Sequence, residues 1–476
     1  MTGTGGDAAD RALDDALALT NERRRPPGAP GPSRTDPLSV ALGLGEDEPP
    51  RPPGPPRAPS APTATPRLSH MPDSRHAHGS TPATPWPEAR RIARQAGRRL
   101  GARVEPLGEG AVGMALTRGL VALTDLPSFD SSAMDGWAVA GPGPWRLTGQ
   151  VLAGQRWRPP LNDGQAVRIA TGAVMPPGAT AVLRTEHGGV EGEWLRVRAP
   201  HAAPAPGQDV RPRGRECRSG EELLPAGTVV TPGVLGLAAA AGYDELTVTA
   251  RPRVEVLVLG DELLDRGLPR DGRVRDALGP MLPSWLHALG AEVLAVRRLV
   301  DDADLLREAV TASPAELVVT TGGTAGGPVD HVHPVLAAIG AELLIDGVAV
   351  RPGHPMLLAE LPSGKGHLIG LPGNPLAAVS GVLTLAAPLL RTLAGRPVPA
   401  PYAAALTADV TGHPVDTRLV PVVFDDESAA RPLHFAGPAM LRGLAAADGM
   451  AVIPPGGARA GDETAVLDTG VLGPTW

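Results

Sequence analysis

Between residues 252 and 395 the sequence alternates apolar, β-branched runs with helical stretches, and that alternation leaves few folds open. VEVLVLG (254 to 260) and AEVLAVRRLV (291 to 300) read as buried parallel strands, because a strand covered on both faces carries a near-continuous apolar run. DADLLREAVTA (302 to 312) places Leu305, Leu306, Ala309 and Val310 on one face and acids at its start, as an amphipathic helix with a favourable dipole does. AELVVTTGG (315 to 323) and HLIGLPGNP (367 to 375) are further strands that open into glycine loops, and a long helix follows the second over 376 to 394. Strand, helix, strand in repetition predicts an α/β fold: a doubly wound, three-layer sheet with helices on both faces. Ligands of such sheets sit beyond the carboxyl ends of the strands. Asp261, Glu262, the loop 322 to 327 and the loop 371 to 375 all fall there.

The flanks read differently. Residues 104 to 251 carry short Val, Leu and Thr runs broken by Gly and Pro, which predicts β-rich lobes, with a turn, a short strand and a helix over 222 to 243. Residues 398 to 476 again predict short strands, chiefly at 420 to 426, 449 to 456 and 462 to 468. Residues 21 to 87 are loaded with Pro, Arg, Ser, Ala and Thr and have almost no apolar period, so they are expected to stay disordered. Residues 7 to 20 have the spacing of a short helix. The expected organisation is a tail over 1–83, a helix with β-rich lobes over 84–251, the α/β domain over 252–395 and a small C-terminal β domain over 396–476.

Composition narrows the partners. No apolar run approaches the ~20 residues that span a bilayer, and no basic segment leads into an apolar one at the start, so a cytoplasmic protein without membrane contact is expected. A net charge of −7 with 3% aromatic residues argues against nucleic acid, which asks for a basic stripe with aromatics to stack on. The arginines of RPRGRECR (211 to 218) read either as a solvated patch or as an anion contact. Cys217 stands alone and can form neither an internal disulfide nor a cysteine-rich metal site. Lys365 is the single lysine of the chain, so arginine at a position suited to lysine partly reflects composition.

The most pointed stretch is PSFDSSAMDGWAV (127 to 139), whose acids, serines and glycine read as an exposed loop built for polar contact. It is followed by RIATGAVMPPGATAVLRTEH (168 to 187), GDELL (260 to 264), TTGGTAGGPVDH (320 to 331), VAVRPGHPM (348 to 356) and GLPGNPLAAVSG (370 to 381). In that order, from about residue 84 to the end, the chain resembles the molybdopterin molybdenumtransferase family. The resemblance implies insertion of molybdate into adenylated molybdopterin by a homodimer, with the helix near 85 to 100 packed on the α/β domain. It also implies that Asp135 and Thr171 reach the site from the partner subunit, and that Glu216 stands where the family usually has Asp.

Such a substrate is strongly anionic, so its site needs backbone N–H groups at strand-to-helix turns, cations and a divalent metal. Gly322, Gly323 and Gly327 of one loop and Gly373 and Asn374 of the other can supply N–H groups, and Pro375, which has no N–H, is the next substrate-binding position. Asp261, Glu262, Asp276 and Asp330 can hold Mg²⁺, which prefers oxygen ligands. Catalytic work then falls to Asp135, Thr171, Glu216, Glu262 and Asp330. Each acid has a plainer reading: Asp261, Glu262 and Asp330 could simply cap helix starts. His331 and His333 have metal spacing, although histidines flanking a helix start are more often just polar. The glycine loop lacks both G-x-G-x-x-G spacing and a P-loop lysine, which counts against an unrelated nucleotide-binding protein.

The sequence departs from the family's pattern at four places. Asp-Ser/Thr-Asn becomes Asp276-Ala277-Leu278, and the serine of Gly-Gly-x-Ser-x-Gly becomes Ala325. Lys-Pro-Gly-Lys-Pro becomes Arg351-Pro352-Gly353-His354-Pro355, so Arg351 and His354 are the candidate molybdate contacts, with Pro352 between them a substrate-binding position. A Gly-Ser-Gly-like loop becomes Gly437-Pro438-Ala439. These changes motivate an alternative: a catalytically impaired paralogue that binds a pterin or a protein partner.

Overall fold

The computed structural model describes residues 82–324, 330–399 and 402–468. The helix read at 7 to 20, most of the stretch 21 to 87, and loop residues Ala325 and Gly327 lie outside them. The end of that stretch corrects the disorder reading. Thr84–Pro85 pairs with Val348 and Ala349, and helix α1 (Trp86–Ala96) begins at once, with a proline in the first turn where its missing N–H costs nothing. Ala89 and Ala93 are buried in the same core as the α/β domain, and Trp86 Nε1 donates to Thr384 Oγ1 at 3.0 Å.

The β-rich part holds a six-stranded sheet of β1 (Gly136–Val139), β2 (Trp145–Val151), β3 (Gln165–Ile169), β4 (Ala181–Arg184), β5 (Gly188–Glu191) and β6 (Trp194–Val197). Its order is β4-β1-β3-β2-β6-β5. This overturns half of the exposed-loop reading of residues 127 to 139. Asp130 and Asp135 are exposed, but Ser131, Ser132 and all of β1 are buried. The reason is that β1 is covered on both faces: Trp137 and Val139 join one apolar cluster, Ala138 and Ala140 the other. Helix α2 (Pro232–Ala240) follows, its N-terminus capped by Thr231, which accepts from the Val234 N–H.

The α/β domain runs β7 (Arg253–Leu259), α3 (Leu278–Ala288), β8 (Glu292–Leu299), α4 (Ala303–Ala312), β9 (Leu317–Thr321), α5 (Val332–Ile339), β10 (Glu342–Asp346), β11 (Val348–Arg351), β12 (Leu357–Glu360), β13 (His367–Leu371) and the long helix α6 (Pro375–Leu393). The sheet order is β8-β7-β9-β13-β12-β10. The first four strands are parallel, and β12 and β10 add an antiparallel margin that the apolar runs had not shown. Strand β8 is parallel but lies at the sheet edge, not in the interior: Leu294 and Val296 are 39% and 41% exposed. Its Arg297 reaches the buried Glu255 of β7 at 3.1 Å, which is how an acid survives inside a central strand. On α4, Leu306, Ala309 and Val310 are buried, whereas Leu305 points away and is exposed.

Helix α6 widens to π geometry over Val382–Ala386 and is buried almost throughout. It also corrects the expectation on apolar runs, being 19 residues long and apolar enough to cross a membrane, with 89% of that window buried inside the protein. The last strands are β14 (Tyr402–Ala405), β15 (Thr417–Phe424), β16 (Gly449–Ile453) and β17 (Glu463–Asp468). They form a seven-stranded sheet with Ala430–Pro432, β11 and Thr84–Pro85, so the strand carrying Arg351 is shared with the C-terminal part.

Candidate functional site

Strands β7, β9 and β13 lie side by side and parallel, so the loops that follow them meet along one edge. Gly322 donates its N–H to the Leu371 carbonyl at 2.8 Å. Gly322 and Gly323 have φ of 84° and 67°, a left-handed backbone that glycine adopts without strain. Gly322 lies beside Leu259 at the end of β7, Gly373 lies beside Gly322, and the Glu262 carboxylate folds back over Gly260. The structure thus brings Gly322, Gly323 and Gly373 together beside the end of β7, with Glu262 folded over the loop that follows that strand, and leaves Asp261, Glu262, Gly373 and Asn374 exposed.

The N-terminus of α6 carries a complication. Its Leu376 and Ala377 N–H groups donate to the Pro438 carbonyl at 2.9 and 3.2 Å, and Ala378 to Asn374 O at 2.8 Å. Two of the donors that the helix turn after GLPGNP could offer an anion are therefore already satisfied by the segment Gly437-Pro438-Ala439.

The other acids are also engaged. Asp276 is 8% exposed; it accepts from Gly279 N–H at 3.0 Å and from Arg298 Nη2 at 2.8 Å. Asp330 accepts from Val332 N–H at 3.1 Å and meets His333 Nδ1 at 3.1 Å, although the N-cap residue of α5 is His331 and not Asp330. His333 Nε2 in turn meets Asp346 Oδ1 at 2.9 Å. Asp261 donates its N–H to Asp301 Oδ2 at 3.4 Å. Among the described residues no three or more His, Cys, Asp or Glu gather into a metal cage. Mg²⁺ does not need such a cage, since it is commonly held by one or two carboxylates plus substrate phosphates. Asp261 and Glu262 fit that arrangement as they stand, whereas Asp276 and Asp330 would have to share a carboxylate already bonded.

The bond from Asp330 lifts His333 to about 9 despite burial, with Asp346 adding to it. Because the folded value exceeds the unfolded ~6.5, the stabilisation is complete below pH ~6.5 and disappears as pH rises through about 9. Allowing for partial exposure of the imidazole, about 1 kcal/mol should be lost across that window. Thermal denaturation between pH 6 and 9.5 in chelator should show the loss in the unmodified chain and not in His333→Gln; parallel curves would remove the effect.

Arg351 does not stand as an unanswered cation. Its Nε donates to Asp416 Oδ2 at 2.8 Å, and Asp416, 5% exposed, donates its own backbone N–H to His413 Nδ1 at 3.0 Å. Pro352 is buried, and His354 is half-buried with its Nδ1 enclosed and without a hydrogen-bond partner. On the β-rich lobe, Asp135 Oδ1 accepts from the Thr171 N–H at 2.8 Å, and both residues are exposed. Glu216 is exposed, its backbone N–H bound to Leu126 O at 2.8 Å. Among the described residues no hydrogen bond or ion pair joins Asp135, Thr171 or Glu216 to the edge at Glu262. In the basic loop beside Glu216, Arg213 pairs with Asp125 and its N–H binds Asp130 at 2.7 Å. Sequence reasoning missed Arg298, Asp346 and Asp416, since no local spacing links a residue to a partner dozens of positions away on another element.

Loops gathered at the carboxyl edge of a doubly wound sheet, in a chain that also carries a β-rich lobe and a C-terminal sheet, define a multidomain α/β ligand-binding protein. Residues 84–242 match the MoeA N-terminal region (domain I and II), 255–392 the Probable molybdopterin binding domain, and 403–469 the MoeA C-terminal region (domain IV). A molybdopterin molybdenumtransferase of Staphylococcus aureus is 32% identical over 302 residues, 60% of this chain and 70% of that protein. Molybdopterin molybdenumtransferase 2 of Mycobacterium tuberculosis is 35% identical over 378 residues, 72% of this chain and 89% of that protein. The fold is shared with the molybdopterin biosynthesis moeA protein of Pyrococcus horikoshii, at a TM-score of 0.67 and 23% identity over 81% of this chain and 99% of that one. The chain belongs to the molybdopterin molybdenumtransferase family, transferases of molybdenum cofactor biosynthesis.

Proposed function

We propose that this chain inserts molybdate into adenylated molybdopterin with release of AMP, using Mg²⁺ and acting in the cytoplasm as a homodimer. The observation that carries the reading is the single edge formed by Glu262, Gly322, Gly323 and Gly373. Asp261 and Glu262 would hold Mg²⁺, which would supply positive charge to offset that of the substrate's phosphates. The chain's own work is positioning: glycine backbone approaches the phosphates closely, Asp261 and Glu262 present carboxylates, and Asp135 with Thr171 completes the site from the partner subunit. A second reading, an impaired paralogue that binds pterin without turnover, is favoured by the Pro438 carbonyl on α6 and by Asp416 on Arg351.

A single-turnover assay separates the two. Adenylated molybdopterin and molybdate should yield AMP and retained molybdenum with Mg²⁺, and neither in chelator; pterin bound without AMP release would establish the paralogue. Mixing Asp135→Asn and Glu262→Gln chains should restore up to about a quarter of activity, since random hybrids carry one intact site. No recovery after demonstrated subunit exchange would place Asp135 outside the partner's site.

A further inference from the structure

A cavity of about 530 Å³ lies where α1 and the end of α6 meet the C-terminal sheet. Arg90, Arg91, Arg94 and Arg391 line it, and among the described residues the one acid on its wall is Asp468. The rest of the lining is largely apolar, from Leu289, Leu383 and Val466 to the ring of Tyr402. A cavity of comparable size near Lys365 is different in kind, because its cations face Glu316 and Glu360.

Of the four arginines, Arg91 is paired with Glu88, and Arg90 donates to the Leu383 carbonyl and lies 5.1 Å over the Trp86 ring. Among the described residues neither Arg94 nor Arg391 has a carboxylate within ion-pair distance of its guanidinium. Arg90 and Arg391 are half-buried. Burial, then the neighbouring Arg391 and Arg94, pull Arg90 down to about 10; burial lowers Arg391 as well, with Asp468 opposing. Like charges crowded into a poorly solvated space are held at a cost that an incoming anion relieves.

We infer that this cavity is a binding site for a phosphorylated small molecule with an apolar ring, its phosphate held by Arg90, Arg94 and Arg391 and its ring against Leu383, Val466 and Tyr402. The volume is that of an ordinary small-molecule pocket, and the guanidinium fork matches phosphate oxygens in pairs. The site is separate from the loop edge. Arg391 is sixteen residues beyond Pro375, which at 1.5 Å per residue puts it ~24 Å along α6 from the loops.

Calorimetric titration with 1-naphthyl phosphate tests the assignment on the full chain. The Arg94→Gln/Arg391→Gln protein should bind about tenfold more weakly than the unmodified one, the loss of ~1.4 kcal/mol that such contacts supply. Arg94→Gln alone, at an exposed position, should weaken binding several-fold without disturbing folding. Arg98→Gln, which removes an equal charge away from this cavity, should leave affinity unchanged. Neutral 1-naphthol and inorganic phosphate should each bind far more weakly. Equal affinity in the unmodified and Arg94→Gln chains, or an equal loss in Arg98→Gln, would overturn the site; so would naphthol or bare phosphate binding as well as the conjugate.

Discussion

Asp276→Ala is expected to lower the stability of the α/β domain by about 3 kcal/mol. Two losses combine. The Gly279 N–H at the start of α3 loses its acceptor, worth ~1 kcal/mol. Arg298 loses the partner of a pair in which the Asp276 side chain is 8% exposed; breaking a buried pair costs ~3–5 kcal/mol, and this one less because Arg298 is 35% exposed. Scanning calorimetry should show the domain's midpoint falling by roughly 6–12 °C. Asp276→Asn keeps an oxygen for Gly279 and should fall about half as far. If both variants melt with the parent, solvent already screens the pair and Asp276 is available for other work.

Gly136→Ala should be comparably damaging, although the change is one methyl group on a strand. A Cβ at residue 136 would stand 2.0 Å from the Leu183 carbonyl oxygen and 3.0 Å from Arg184 Cα, backbone atoms of the paired strand β4 that cannot rotate away. Relief requires parting β1 from β4, at about 3 kcal/mol, the upper end of overpacking costs. The adjacent Asp135 would move with the strand and lose its bond to the Thr171 N–H. Amide exchange at β1 and β4 reads the first effect, and protection at Thr171 the second. Parent-like exchange at all three would show that the sheet absorbs the methyl.

These two sites also show what the sequence could and could not reveal. Strands β7, β9 and β13 were legible because each carries its own apolar run and ends in its own glycine, so the loop edge followed from local pattern. Strand β8 was legible as a strand but not as an edge, because exposure depends on which neighbour is missing. Strand β1 was hidden because a four-residue segment with both faces covered has no alternation to read, and the acids beside it suggested a loop. In the site, residue types pointed to Asp276, Asp330 and Arg351, but their partners Arg298, Asp346 and Asp416 arrive by tertiary folding. A carboxylate's chemistry depends on those partners, so candidate residues were readable and their present engagements were not.

The carbonyl of Pro438 above the first turn of α6 has one further consequence. An oxyanion that seeks the Leu376 and Ala377 N–H groups must compete with the protein's own backbone for them. Occupancy by the anion and adhesion of the segment around Pro438 then become two readings of one equilibrium. By reciprocity, whatever factor the docked carbonyl takes from the anion's affinity, the bound anion takes from the docking. A variant that loosens this segment would therefore bind anion more tightly at α6 while holding its C-terminal sheet less firmly.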